Sequence, residues 1–130
     1  MTSDQGESRL SEHPHRVVVT GVGAMTCLGE NAAETWESMR EGRSGIRVVD
    51  RAQFEAFGDD WSTIIGGEIE SIDHTGFLHP REVKKLDRST ILGMGAAQEA
   101  VAHSGVDFEN EERPRCGVVI GSGIGGIATI

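Results

Sequence analysis

The groups in this 130-residue sequence that could do chemistry are two glycine-rich turns, two cysteines, five histidines and one cluster of bases. Gly121, Gly123 and Gly126 fit G-x-G-x-x-G after the β-forming run GVVI, and Gly21 and Gly23 begin the same pattern after VVVT. In a dinucleotide site such glycines bring the backbone close to a pyrophosphate, and the helix that follows presents its positive end to it. Neither match has that context. Thr26 stands where the first would need its third glycine, and the sequence given runs only to Ile130 after the second, with no helix following. The glycines are read instead as devices for tight turns and close packing at the ends of a sheet.

Cys27 and Cys116 could each supply a nucleophile, which requires a neighbouring base or another means of stabilising the thiolate. Cys27, in GAMTCLG, has no histidine near it in sequence, and Cys116 opens GVVI, where a thiol behaves as a small hydrophobe. With no metal-ligand spacing and no secretory context, both read as reduced thiols. His13 and His15 belong to the polar start of the chain, His74 and His79 to a loop, and His103 to a helix end, where a cation near the last carbonyls is explanation enough. No catalytic residue and no metal ligand is assigned. Arg81, Lys84 and Lys85 are the concentrated basic group of an acidic chain, and on a helix they occupy adjoining faces. By themselves they read as a solvated helix face, partly neutralised by Glu82 and Asp87.

The elements that must position these groups alternate between strand and helix, so the fold class is α/β. VVVT at 17–20 and GVVI at 117–120 have no polar side, as in strands buried on both faces. A helix is predicted over 30–41, with Asn31 as N-cap, Glu34 placed for a capping box, Ala32, Trp36 and Met39 on one face, and Gly42 as terminator. Pro80 begins a short helix over 80–86, and a longer one follows over 88–103, closed by Gly105. In the longer helix Ile91, Met94, Ala97 and Val101 form one apolar stripe while Leu92, Ala96 and Ala100 form another. That predicts a helix buried all round, in which Gly93 and Gly95 permit close contact with another backbone. Between 43 and 76 the signals weaken. Phe54, Phe57 and Trp61 are scattered in a polar background, and TIIGGEIE suggests a short strand with a bulge at Gly66 and Gly67, an excursion from the main sheet. The acidic stretch 107–112 reads as a surface loop.

A formal net charge of -9, from 21 acidic against 12 basic residues, disfavours attraction to nucleic acid or to an anionic membrane surface. No segment approaches the roughly 20 apolar residues that span a bilayer. Residues 1–15 are polar, resemble neither a signal nor a transit peptide, and are expected to be a disordered tail on a soluble, cytoplasmic protein. With 37% hydrophobic residues the chain could build a core.

The phrases RVVVTGVGAMTCLG at 16–29 and RCGVVIGSGIGG at 115–126, with HPREVKKLDRSTILGMGAAQEAVAHSG between them, resemble the N-terminal part of the β-ketoacyl-[acyl-carrier-protein] synthases, of the elongating synthase II type of fatty-acid synthesis. The resemblance runs from 16 to 130 and is weakest from about 50 to 76. It implies a thiolase-like layered α/β fold, of which residues 16–130 are an incomplete N-terminal portion. It also implies an acyltransferase that condenses malonyl-carrier protein, with loss of carbon dioxide, onto an acyl-enzyme thioester, extending the chain by two carbons without a redox cofactor or metal. The partners implied are the acyl carrier protein, acyl- and malonyl-loaded, and a second identical subunit.

In similar synthases the isoleucine of GSGIGG, here Ile124, lies beside the acyl pocket near the dimer interface, although core packing accounts for it equally on the residues alone. The basic helix, here Arg81, Lys84 and Lys85, docks the acidic carrier protein. The nucleophilic cysteine, two histidines and a lysine of the family lie beyond 130. Cys27 stands where relatives commonly have proline, a departure from the pattern that does not make it the nucleophile. The chain alone is therefore expected to be inactive and poorly stable, with faces exposed that a missing half and a partner would cover. A polyketide ketosynthase or its chain-length-determining partner has a similar N-terminal sequence, and from another class a non-catalytic carrier-binding module could be built on the same half-fold.

Overall fold

A computed structural model describes residues 16–50 and 62–126. Residues 1–15 with His13 and His15, the aromatic residues Phe54, Phe57 and Trp61, and residues 127–130 lie outside them. The described residues form a mixed α/β arrangement of α1 (Ala32–Arg40), β1 (Ile46–Val48), β2 (Ile65–Gly67), α2 (Pro80–Val83) and α3 (Arg88–Ser104), followed by a 3₁₀ turn at Arg113–Arg115.

Both ends of α1 are fixed by local chemistry. The Asn31 side chain accepts from the Glu34 N–H at 2.8 Å, and the Glu34 carboxylate accepts from the Glu30 N–H at 3.0 Å, so the reciprocal cap forms with its return arm on the residue before the N-cap. At the other end Gly42 adopts φ 70°, and the N–H groups of Gly42 and Arg43 donate to the carbonyls of Met39 and Ser38. This paired closure satisfies carbonyls that the helix itself leaves open.

β1 and β2 pair antiparallel with Ile46 opposite Gly67, Arg47 opposite Gly66 and Val48 opposite Ile65. The unbroken one-to-one register corrects the expected bulge at Gly66 and Gly67. It also assigns 46–48 as a strand, which local pattern did not suggest. α2 is shorter than predicted, because the chain turns through residues 84–86 before Asp87 caps α3. α3 ends at Gly105, whose φ of 67° suits glycine.

The core among the described residues is small, with Val49, Leu78 and Ile91 as its buried apolar side chains. α3 contributes one covered strip rather than a helix buried all round. Ile91 is buried and Leu92, Gly95, Ala96, Glu99, Ala100 and Ser104 are half-buried, while Met94, Ala97 and Val101 are exposed. The covering is supplied by the chain before α1. A Cβ built on Gly21 would strike the Ala100 carbonyl oxygen, and one on Gly23 the Ala96 carbonyl oxygen. Gly95 faces the Met25 sulfur and the Phe77 ring, whereas Gly93 faces open space. The close backbone approach thus belongs to Gly21 and Gly23, with side chains against Gly95 and nothing described against Gly93.

The two runs expected as strands buried on both faces differ most from expectation. Neither 17–20 nor 117–120 joins a ladder among the described residues, and their side chains are exposed, Val17 to 91% and Val119 to 99%. A β-branched run favours a pleated, covered surface only where neighbours exist to form one. Among the described residues neither run has them.

Candidate functional site

The first turn of α3 and the GSGIGG loop border an open apolar recess of about 450 Å³, lined by Asp87, Ser89, Leu92, Ile124, Gly125 and Gly126. Ile124 lines it and is 73% exposed among the described residues. Gly125 and Gly126 have φ of 55° and 56°, left-handed values that turn the loop back toward α3. The Gly126 N–H donates to the Ser89 hydroxyl oxygen at 3.3 Å.

Asp87 organises this turn. Its carboxylate accepts from the Ser89 hydroxyl at 2.5 Å, from the Thr90 hydroxyl at 2.8 Å and from the Thr90 N–H at 3.1 Å. These bonds, the Ser89 hydroxyl foremost and then those from Thr90, hold its carboxyl down at about 2. The negative charge also sits at the positive end of the α3 dipole.

Arg81, Lys84 and Lys85 are all exposed, in α2 and the turn that follows it. None forms an ion pair among the described residues. The acids among them are directed elsewhere: Glu82 accepts from the His79 N–H at 3.3 Å, closing the α2 cap, and Asp87 binds Ser89 and Thr90. The bases therefore present their charge to solvent. A second hollow, about 770 Å³, opens between the strands and α3, with charged walls from Arg47, Asp50, Glu68, Glu70 and Arg88. Its Arg47 is bound to Glu70 at 3.0 Å and to Glu68 at 3.6 Å.

The thiols and histidines do not converge. Cys27 is half-buried, its sulfur packed against Gly45 and Gly67. Cys116 is exposed, correcting its expected place in a buried strand, and its sulfur lies 3.7 Å from the Glu112 carbonyl. His79 caps α2 by accepting from the Arg81 N–H at 3.2 Å. His103, in the last turn of α3, has Nδ1 3.2 Å from the Val22 nitrogen and 3.3 Å from its carbonyl oxygen, which ties α3 to the segment before α1. No group of three or more His, Cys, Asp or Glu side chains that could hold a metal ion occurs among the described residues, and no helix of theirs is long and apolar enough to cross a membrane.

Two residues that sequence reasoning did not single out, Ser89 and Glu99, carry the local architecture, and Leu92, read from sequence as part of an apolar stripe, lines the recess. The Glu99 carboxylate accepts from the Ala24 N–H at 2.8 Å and from the Ala32 N–H at 2.9 Å, joining α3 to the start of α1. Its one visible signal is a lone acid within GAAQEAVA, where a carboxylate on an otherwise apolar helix calls for a buried donor.

A family model described as the N-terminal domain of beta-ketoacyl synthase matches residues 15–129. A 3-oxoacyl-[acyl-carrier-protein] synthase 2 of Synechocystis is 36% identical over 115 residues, and the Staphylococcus aureus protein of the same name is 35% identical over 114. One of Vibrio harveyi is 36% identical over 115. Each alignment covers 88% of this chain and 27% of the relative, so the chain spans about a quarter of the length of these curated relatives.

Proposed function

Because this chain belongs to the beta-ketoacyl synthase N-terminal domain family, we propose that it is the carrier-docking and acyl-lodging portion of a 3-oxoacyl-[acyl-carrier-protein] synthase with a thiolase-like layered fold. The reaction assigned to the full-length protein is a decarboxylative condensation. An enzyme thiolate attacks the acyl-carrier thioester, and the carrier thiol leaves. Malonyl-carrier protein then loses carbon dioxide, and the electron pair of the broken C–C bond forms an enolate. Its carbon attacks the acyl-enzyme carbonyl and expels the enzyme thiolate, leaving a 3-oxoacyl-carrier two carbons longer. No redox change occurs, so the step calls for no redox cofactor.

Within residues 1–130 the roles are binding ones. Arg81, Lys84 and Lys85 receive an acidic carrier protein, speeding encounter and setting its orientation. Ile124 meets the acyl chain in the recess. Cys27 and Cys116 take no part in the chemistry, which is assigned to the full-length homodimer.

The observation that carries this reading is the continuity of the two features along the chain. Lys84 and Lys85 lie in the turn that leads directly to Asp87, and Asp87 both caps α3 and lines the apolar recess. A carrier held at α2 would present its acyl chain beside Ile124. The name shared by the relatives favours fatty-acyl elongation over polyketide synthesis. The test is to incubate the full-length protein with acyl- and malonyl-carrier protein and to follow carbon dioxide release and product mass. A product heavier by two carbons, formed with one carbon dioxide each, is expected. Carrier binding without either product would leave a non-catalytic carrier-binding module as the correct reading.

A further inference from the structure

The recess beside Ile124 is formed by two segments that are far apart in sequence, and one hydrogen-bonded chain joins them. The Ser89 hydroxyl donates its single proton to Asp87 and accepts from the Gly126 N–H. A hydroxyl has one donor and two acceptor positions, so both bonds form at once. Donation to a carboxylate polarises the hydroxyl and makes its oxygen a better acceptor for the amide. Gly126 is two residues from Ile124, and the left-handed conformations of Gly125 and Gly126 direct the amide to Ser89. Leu92, one helical turn beyond Ser89, lines the same recess as Ile124 and is its other large apolar side chain. Ser89 therefore links the loop that carries Ile124 to the helix turn that carries Leu92.

We infer that Ser89 is a positioning residue and Leu92 a specificity-determining wall of the acyl recess, so that the first turn of α3, together with Ile124, sets the length of acyl chain admitted. The inference rests on the proposed reading of the recess as the acyl site. Ser89 acts through the loop and Leu92 through direct contact with the chain. Loss of the Ser89 hydroxyl removes one tie between the loop and α3, and a larger residue at 92 narrows the recess.

The test uses the full-length protein and carrier protein loaded with saturated acyl chains of increasing length, with kcat/KM measured for each. Ser89→Ala is expected to change the ratio between long and short chains by about two- to tenfold, the size of one lost hydrogen bond. Ser89→Thr, which keeps the hydroxyl, is expected to restore the ratio. Leu92→Phe is expected to exclude the longest chains, as is Ile124→Phe. If Ile124→Phe changes the profile while Ser89→Ala and Leu92→Phe leave it unaltered, the inference fails and the acyl reading stands. If Ile124→Phe itself has no effect on chain length, the acyl reading fails and the inference with it. An equal loss at every chain length in Ser89→Ala, unrestored by threonine, would show a merely structural role and overturn the assignment of Ser89.

Discussion

Glu99 of α3 and Ala32 of α1 are 67 residues apart in sequence and joined by a hydrogen bond of 2.9 Å from the Ala32 N–H to the carboxylate. The bond places a negative charge at the positive end of α1 and satisfies a backbone donor that the helix cannot. The same carboxylate accepts from Ala24, so one side chain holds α1, α3 and the segment between Gly21 and Met25 in register. Replacing Glu99 by alanine is expected to destabilise the 130-residue chain by about 2 kcal/mol, as for a lost bond to a charged acceptor. Glu99→Gln keeps one carbonyl acceptor and is expected to cost about half as much, read from urea midpoints.

Gly23 and Gly93 are expected to respond oppositely to alanine. At Gly23 the new methyl group meets the backbone of α3 at Ala96 and Ala100, and overpacking against backbone costs about 1–3 kcal/mol. At Gly93 it enters open space inside a helix, where alanine gains about 1 kcal/mol from propensity. Thermal melts of the two variants of this chain should shift in opposite directions.

These elements divide by whether their causes are local. Asn31, Glu34, Gly42 and Gly105 act within one helical turn, so the bounds of α1 and α3 were readable to within two residues. The two apolar stripes of α3 were equally readable, but which is covered depends on Gly21 and Gly23, whose packing is decided more than 70 residues away. The pairing of 46–48 with 65–67 is similarly non-local, and two of its six positions are glycine, which carries no β-forming signal. Of the site, Ile124 and the three bases came from resemblance and Leu92 from its apolar stripe, whereas the part Ser89 plays became visible only once the loop lay against the helix.

Asp87 gives the α3 cap an acid limit. Its carboxyl is lowered from an ordinary 3.8 to about 2, so folding favours the ionised form. The contribution is present above the ordinary value and is lost as pH falls through the folded one. Protection of the Ser89, Thr90 and Gly126 amides, their exchange rate relative to that of an unstructured peptide at the same pH, should therefore fall between about pH 4 and pH 2. Asp87→Asn should flatten that response.

Reversing Arg81, Lys84 and Lys85 to glutamate in the full-length protein should raise KM for carrier-bound substrate by roughly tenfold or more at low salt, and the difference should shrink at high salt as the charges are screened. An acyl thioester without the carrier should be processed as by the parent protein. Equal loss with both substrates would place the effect elsewhere than docking.

The cysteines are expected to separate by access. Maleimide should label the exposed Cys116 before the half-buried Cys27, as read by peptide mass. Cys27→Ala in the full-length protein should retain condensation, whereas an abolished reaction in a variant that still folds would return Cys27 to the chemistry.

The bare valine runs at 17–19 and 118–119 have a consequence in time. About 100 residues separate them, which a ribosome working at roughly 5–20 residues per second covers in about 5–20 s. For that interval the first run has emerged while the second is still being made. Short β-branched segments of low charge without proline are templates for pairing with other chains. Synthesis thus opens a window of seconds in which a chaperone that grips extended apolar chain would find RVVVTG before the run at 118–119 has been made.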